Sequence, residues 1–185
     1  MVNLSSEIFR RFEKVGGGFT LAELLVVISI IALLISILTP VLGKAKVIAR
    51  RTACRSQLRG VGMALRMYVD DNDQMMPVAA QLPSDEPNLP CITDVLLPYL
   101  KNRKAMCCPA DRLDSYFEKE GSSYEYPHFV RGRRVDDTFM GEKWSETNVP
   151  VLFDFGPFHN RQGRRGAINF LFGDGHVGDL LETDI

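Results

Sequence analysis

The 185-residue sequence has no internal repeat, no low-complexity tract, no glycine-rich phosphate loop and no Cys-x-x-C pair. Its serines, histidines and acids fall into no Ser-His-Asp order, and no two carboxylates stand apart as an acid–base couple. These absences remove loop-bound nucleotides, thiol–disulfide exchange and triad hydrolysis from the leading functions. The chain also lacks a large net charge, which is −1, but the balance is uneven. Residues 74–185 hold twelve basic and seventeen acidic residues, whereas residues 19–73 hold seven and four. An acidic C-terminal portion argues against nucleic acid as a partner, because phosphate binding relies on clustered Lys and Arg. The cysteines number only four, Cys54, Cys91, Cys107 and Cys108, and allow three fully paired connectivities. An even count outside the cytosol suits disulfides. Adjacent cysteines seldom join each other, so Cys91 with Cys107 or Cys108 is the expected bridge, and Cys54 is either a small buried apolar residue or the fourth partner.

Charge is missing altogether from Leu24 to Leu42, nineteen residues of Leu, Ile, Val and Ala broken by Ser29, Ser36, Thr39 and Pro40. As a helix this run is about 28 Å long, close to the thickness of a bilayer core. A soluble helix of that length needs a polar face, and none is present, so a single membrane span is expected. The hydroxyls can bond back to their own helix, and Pro40 would kink or loosen its last turn. A cleaved secretory signal is a poor fit, since no Ala-x-Ala site follows the run.

The small residues lie on the other side. Gly16, Gly17 and Gly18 precede the run, and Glu23 sits at its edge. A carboxylate beside hydrocarbon is costly, but a place in the first helical turn favours it. A cut between Gly18 and Phe19 would add a cationic partner, the new α-amine of Phe19. The bland alternative is that Glu23 turns outward to water.

The stretch "GGGFTLAELLVVISIIALLISILTPVL" resembles the prepilin cleavage and methylation segment of type IV pilins and the pseudopilins of type II secretion. The resemblance implies that a membrane prepilin peptidase and N-methyltransferase cuts after Gly18 and methylates Phe19. It also implies that Glu23 serves helix-to-helix assembly with other pilin-like subunits. It places the chain in the inner membrane as a single-pass protein, in a filament, with its head on the periplasmic side. Lys44, Lys46, Arg50, Arg51, Arg55 and Arg59 pull the other way, because positive charge favours the cytoplasmic side.

Past Gly43 the apolar residues narrow to a stripe at Val47, Cys54, Leu58, Val61, Leu65 and Tyr68. From Cys54 on, these are spaced four, three, four and three apart, one face of a helix. The "DDND" stretch ends that helix at about Asp70. Basic residues between 44 and 66 are expected to face solvent or lipid phosphates. Residues 74–98, with five prolines, read as an ordered loop, and "DVLLPYLKN" as a helical turn docked by Val95, Leu96, Tyr99 and Leu100. Strands are expected near 124–130, 149–155, 167–172 and 176–181, the last two joined at "GDG" as a hairpin. Ile168, Phe170 and Phe172 are expected to face the stalk helix.

The fold expected is therefore α+β and pilin-like, with a long N-terminal helix packed on a small antiparallel sheet. Its parts are a leader over 1–18, a membrane and assembly helix over 19–43, an amphipathic stalk over 44–73 and a head over 74–185. The segments "LLPYLKNRKAMCCPADR" and "FHNRQGRRGAINFLFGDGHVGDL" add a second resemblance, to pilin-like proteins with a C-terminal motif of His, nine residues, then Asp-Gly. Here fourteen residues separate His159 from Asp174.

That resemblance raises a divalent ion, calcium being known in some pseudopilin C-terminal loops, held by His159, Asp174, His176 and Asp179. Calcium prefers six to eight oxygens and histidine suits zinc, so turn chemistry at Asp174 and Gly175 is the competing account and no cofactor is expected. The alternative function is a membrane-tethered head with a metal-dependent role, or a DNA- or surface-binding role through Arg131, Arg133 and Arg134. The main expectation is a non-enzymatic pilin-like or pseudopilin subunit.

Overall fold

The computed structural model describes residues 19–111, 115–138, 148–160 and 162–179. Gly18 and the rest of the expected leader lie outside them, as do Leu180 and Leu181. The chain divides into two compact units, residues 1–44 and 45–185. The boundary falls within helix α1, Leu21–Asp71.

In the first unit α1 begins with Thr20 as its N-cap. The Thr20 hydroxyl oxygen accepts from the Glu23 N–H at 3.2 Å, and Glu23 Oε2 accepts from the Thr20 N–H at 2.9 Å and its hydroxyl at 2.7 Å. This reciprocal closure satisfies two backbone donors that a helix start leaves open. Ser29, Ser36 and Thr39 donate to the carbonyls of Val26, Leu33 and Ile35. The helix continues through Pro40, and no side chain from residue 19 to 44 is buried. It is long and apolar enough to cross a membrane.

In the second unit α1 buries Cys54, Leu58, Val61, Gly62, Ala64, Leu65 and Val69. The stripe thus starts later than expected, since Val47 remains about half exposed at 47%. Asp71, at the "DDND" stretch, closes the helix. The loop that follows leads to α2, Ile92–Leu96, which buries Leu96 while Val95 and Leu100 pack on the core. Tyr99 sits at the rim, edge-on to Tyr68, with its hydroxyl 3.0 Å from Asp71. A 3-10 turn spans Arg103–Met106, α3 spans Tyr116–Glu120, and a second 3-10 turn spans His128–Val130.

Four short strands form an antiparallel sheet in the order β1 (Tyr124–Glu125), β2 (Pro150–Asp154), β3 (Phe170–Phe172) and β4 (Val177–Gly178). The expected strands are present but shorter. The β3–β4 turn is Gly173–Asp174–Gly175, with Gly175 at φ +91°, a conformation glycine adopts freely. Leu171 lies against the helix, where Gly62 leaves it room: a Cβ there would be 2.8 Å from a Leu171 methyl. This corrects the expected face. Phe170 instead pairs with Phe153, and Phe172 stacks on His176. All three β3 residues are buried, and β2 shifts register between Pro150 and Leu152, so alternation carries no signal there.

Two stalk arginines also depart from the expected solvated face. Arg55 donates to the Val177 carbonyl at 2.9 Å, and Arg51 lies 3.8 Å from the buried carboxylate of Asp179.

Candidate functional site

The first site is the helix start. Phe19 is 82% exposed, and Glu23 is bound through Oε2 to Thr20. Among the described residues nothing bonds its Oε1. Thr20 belongs to the prepilin-like segment, and its role as a cap is a further one that Thr-x-x-Glu ahead of an apolar run signals.

The second site is in the head. Of the four residues expected around an ion, the structure does not make one group. His176 and Asp174 belong to the hairpin turn, where Asp174 Oδ1 accepts the His176 N–H at 3.0 Å and lies 2.6 Å from its Nδ1. Asp179 accepts the Gly166 N–H and faces Arg51. His159 is elsewhere, in a buried cluster with Cys54, Cys108 and Asp154 whose ligand atoms all lie within 4.8 Å of one another. It is the one group of three or more such residues among the described residues.

Each member comes from a different stretch. Cys54 projects from the buried face of α1. Cys108 follows the first 3-10 turn, which Gln57 of α1 fastens: its Nε2 is 2.8–2.9 Å from the carbonyls of Lys104, Ala105 and Cys107. Asp154 ends β2, and His159 follows five residues later, its N–H on the Ala167 carbonyl.

Cys54 Sγ is 3.4 Å from Asp154 Oδ1, Cys108 Sγ is 3.5 Å from His159 Nε2, and that Nε2 is 3.4 Å from Asp154 Oδ2. Further donors converge from outside. The Ala110 N–H reaches Cys108 Sγ at 3.5 Å, Asn169 Nδ2 reaches Cys54 Sγ at 3.6 Å, and the Tyr124 hydroxyl is 3.5 Å from it. Asp154 Oδ2 accepts from the Asn169 backbone N–H at 2.7 Å and its side chain at 3.0 Å.

The cluster separates its two thiols. The hydrogen bond from Cys54 holds Cys108 down to about 6 against its burial, while the same contact, with burial, pushes Cys54 well above an ordinary thiol. Burial opposes charge on the His159 ring, but its contacts with Asp154 and Cys108 outweigh that and lift it to about 9.

All four cysteines are free thiols. The expected bridge from Cys91 is absent, because Cys91 donates to the Glu120 carbonyl and Cys108 points inward to the cluster. Cys107 faces its neighbour's carbonyl. Of the candidate nucleic-acid arginines, Arg131 makes a two-point ion pair with Glu86 at 2.7 and 2.9 Å, and Arg134 pairs with Asp136. Comparison of the chain with protein-family models, curated proteins and solved structures found no match.

Proposed function

We propose that this chain is a pilin-like or pseudopilin subunit, cut between Gly18 and Phe19 and assembled through the first part of α1. The observation that carries the reading is the closure of Thr20 on Glu23 at the head of the uncharged apolar run Leu24–Leu42. Both partners lie after the proposed cut, so removal of the leader leaves that cap whole. It fixes the Glu23 carboxylate at the helix start while Oε1 stays available to a cation. The α-amine of Phe19 in a neighbouring subunit is such a cation, and away from bulk water their attraction is strengthened and offsets part of the cost of burying each charge. In this reading the part of α1 up to residue 44 is held in the inner membrane, residues 45–185 lie on the extracytoplasmic side, and the chain is a substrate of the prepilin peptidase rather than an enzyme.

Intact-mass measurement on protein from cells with an active prepilin peptidase tests the cut. A chain beginning at Phe19 and carrying one extra methyl group is expected; a chain still beginning at Met1 overturns it. Glu23→Gln tests the pairing separately, since processing should persist while assembly into filaments is lost.

A further inference from the structure

We infer that Cys54, Cys108, Asp154 and His159 form a closed tetrahedral site for a zinc ion. A tetrahedral ion bonded at about 2.3 Å to sulfur and about 2.0–2.1 Å to nitrogen or oxygen holds its donors roughly 3.3–3.8 Å apart. The Cys108 Sγ–His159 Nε2 separation, 3.5 Å, falls in that range, and Asp154 meets Cys54 through Oδ1 and His159 through Oδ2, each at 3.4 Å, so that all four ligand atoms lie within 4.8 Å of one another.

Two simpler accounts of the same residues fit less well. The first is a Cys–His–Asp nucleophile. A relay needs the acid on one ring nitrogen and the thiol on the other. Here Cys108 and Asp154 both meet Nε2, while Nδ1 is buried with no hydrogen-bond partner among the described residues. A nucleophile also needs access to substrate, yet Cys108 is 1% exposed and Cys54 fully buried. Two groups on the same ring nitrogen do not make a relay. The second account is a disulfide between Cys54 and Cys108, but the two are free thiols in hydrogen-bond contact, and each sulfur also meets a further ligand-type group, Asp154 for one and His159 for the other.

The donor set selects the ion. Two sulfurs and an imidazole disfavour calcium and magnesium, which take oxygen, whereas zinc accepts sulfur, nitrogen and carboxylate together. The surrounding donors suit thiolates: an amide N–H at Cys108, an amide N–H and a hydroxyl at Cys54, and the two Asn169 donors at Asp154. On binding, Cys54, Cys108 and Nε2 of His159 ligate in their deprotonated forms, so any proton they carry goes to solvent as two sulfur–metal bonds and one nitrogen–metal bond form, with no change of oxidation state. Four protein ligands leave no open position, so the ion is structural. It joins α1 to the turn before Cys108, to the end of β2 and to the loop after it, stretches that are remote in sequence. The inference is independent of leader cleavage.

The test uses the full chain in detergent, purified under reducing conditions without chelator. Elemental analysis should find about one zinc per chain, and X-ray absorption should report two sulfur and two nitrogen or oxygen neighbours. Cobalt exchanged for zinc should give the visible bands of tetrahedral coordination with thiolate charge transfer. Cys108→Ser and His159→Ala should lose the ion, while His176→Ala and Asp174→Ala should keep it. If the ligand variants fail to fold, the wild-type cobalt spectrum decides alone. Metal-free protein with four reduced thiols that gives no such spectrum overturns the inference. So does an intact mass lower by two hydrogens from a Cys54–Cys108 disulfide, or zinc retained by folded Cys108→Ser.

Discussion

Residues 21–44 and 45–71 belong to one helix, yet they solve opposite problems. The first stretch has no buried side chain, and from Leu24 to Leu42 no charge; the second buries seven residues along one face and carries its basic side chains on the rest. Helix formation is common to both, so what differs is the environment each surface is made for. Apolar residues exposed on every side suit a nonpolar solvent, and this stretch is long and apolar enough to cross a membrane, whereas a single apolar stripe suits a protein partner. The basic residues sharpen the contrast: Arg51 and Arg55 reach the Asp179 carboxylate and the Val177 carbonyl. A charged surface can therefore belong to the packing of a head as well as to water.

The comparison can be broken by substitution. Leu58→Ala, in the buried stripe, should cost about 2–5 kcal/mol through lost burial and the cavity left behind, read as a lower denaturant midpoint of the full chain in detergent. An effect under about 1 kcal/mol would mean that the stripe is not core. Ile31→Arg, in the uncharged stretch, should cost about 2.5–3.5 kcal/mol of membrane insertion and move the protein out of the membrane fraction. Unchanged membrane recovery would remove the nonpolar solvent from the account. Gly166→Ala should cost about 1–3 kcal/mol, because φ is +76° there and a Cβ would run into the Arg51 guanidinium. Full stability in that variant would dismiss Arg51 as a fixed part of the head. Met63→Arg should change the denaturant midpoint by less than about 0.5 kcal/mol. Met63 and Ile31 are both substantially exposed, at 67% and 49%, so the same substitution should separate the two solvents.

The long helix and the hairpin were readable because they rest on local signals. An uncharged run, a four-three spacing and the "DDND" and "GDG" stretches each act over a few residues, and the helix and hairpin lie where those signals put them. The head's interior was not readable in the same way. Leu171 replaced its neighbours at the helix because a three-residue strand buried on both faces has no alternation to read. Cys54, Cys108, Asp154 and His159 meet only through the fold, and an even cysteine count suggested pairing among sulfurs before the three-dimensional structure gave two of them other neighbours. Thr20 is the opposite case: its signal is local, a Thr-x-x-Glu spacing whose capping role depends on the backbone donors beneath Glu23 as well as on its charge.

One detail of the apolar stretch bears on how such helices meet. Ser29, Ser36 and Thr39 each turn the hydroxyl proton onto a carbonyl of their own chain. A helix lying alongside would find no side-chain proton offered from that stretch, only contours of methyl groups. Lateral fit would then tolerate sliding, and the longitudinal alignment of adjacent copies would have to be decided at the tip, by the one acid there.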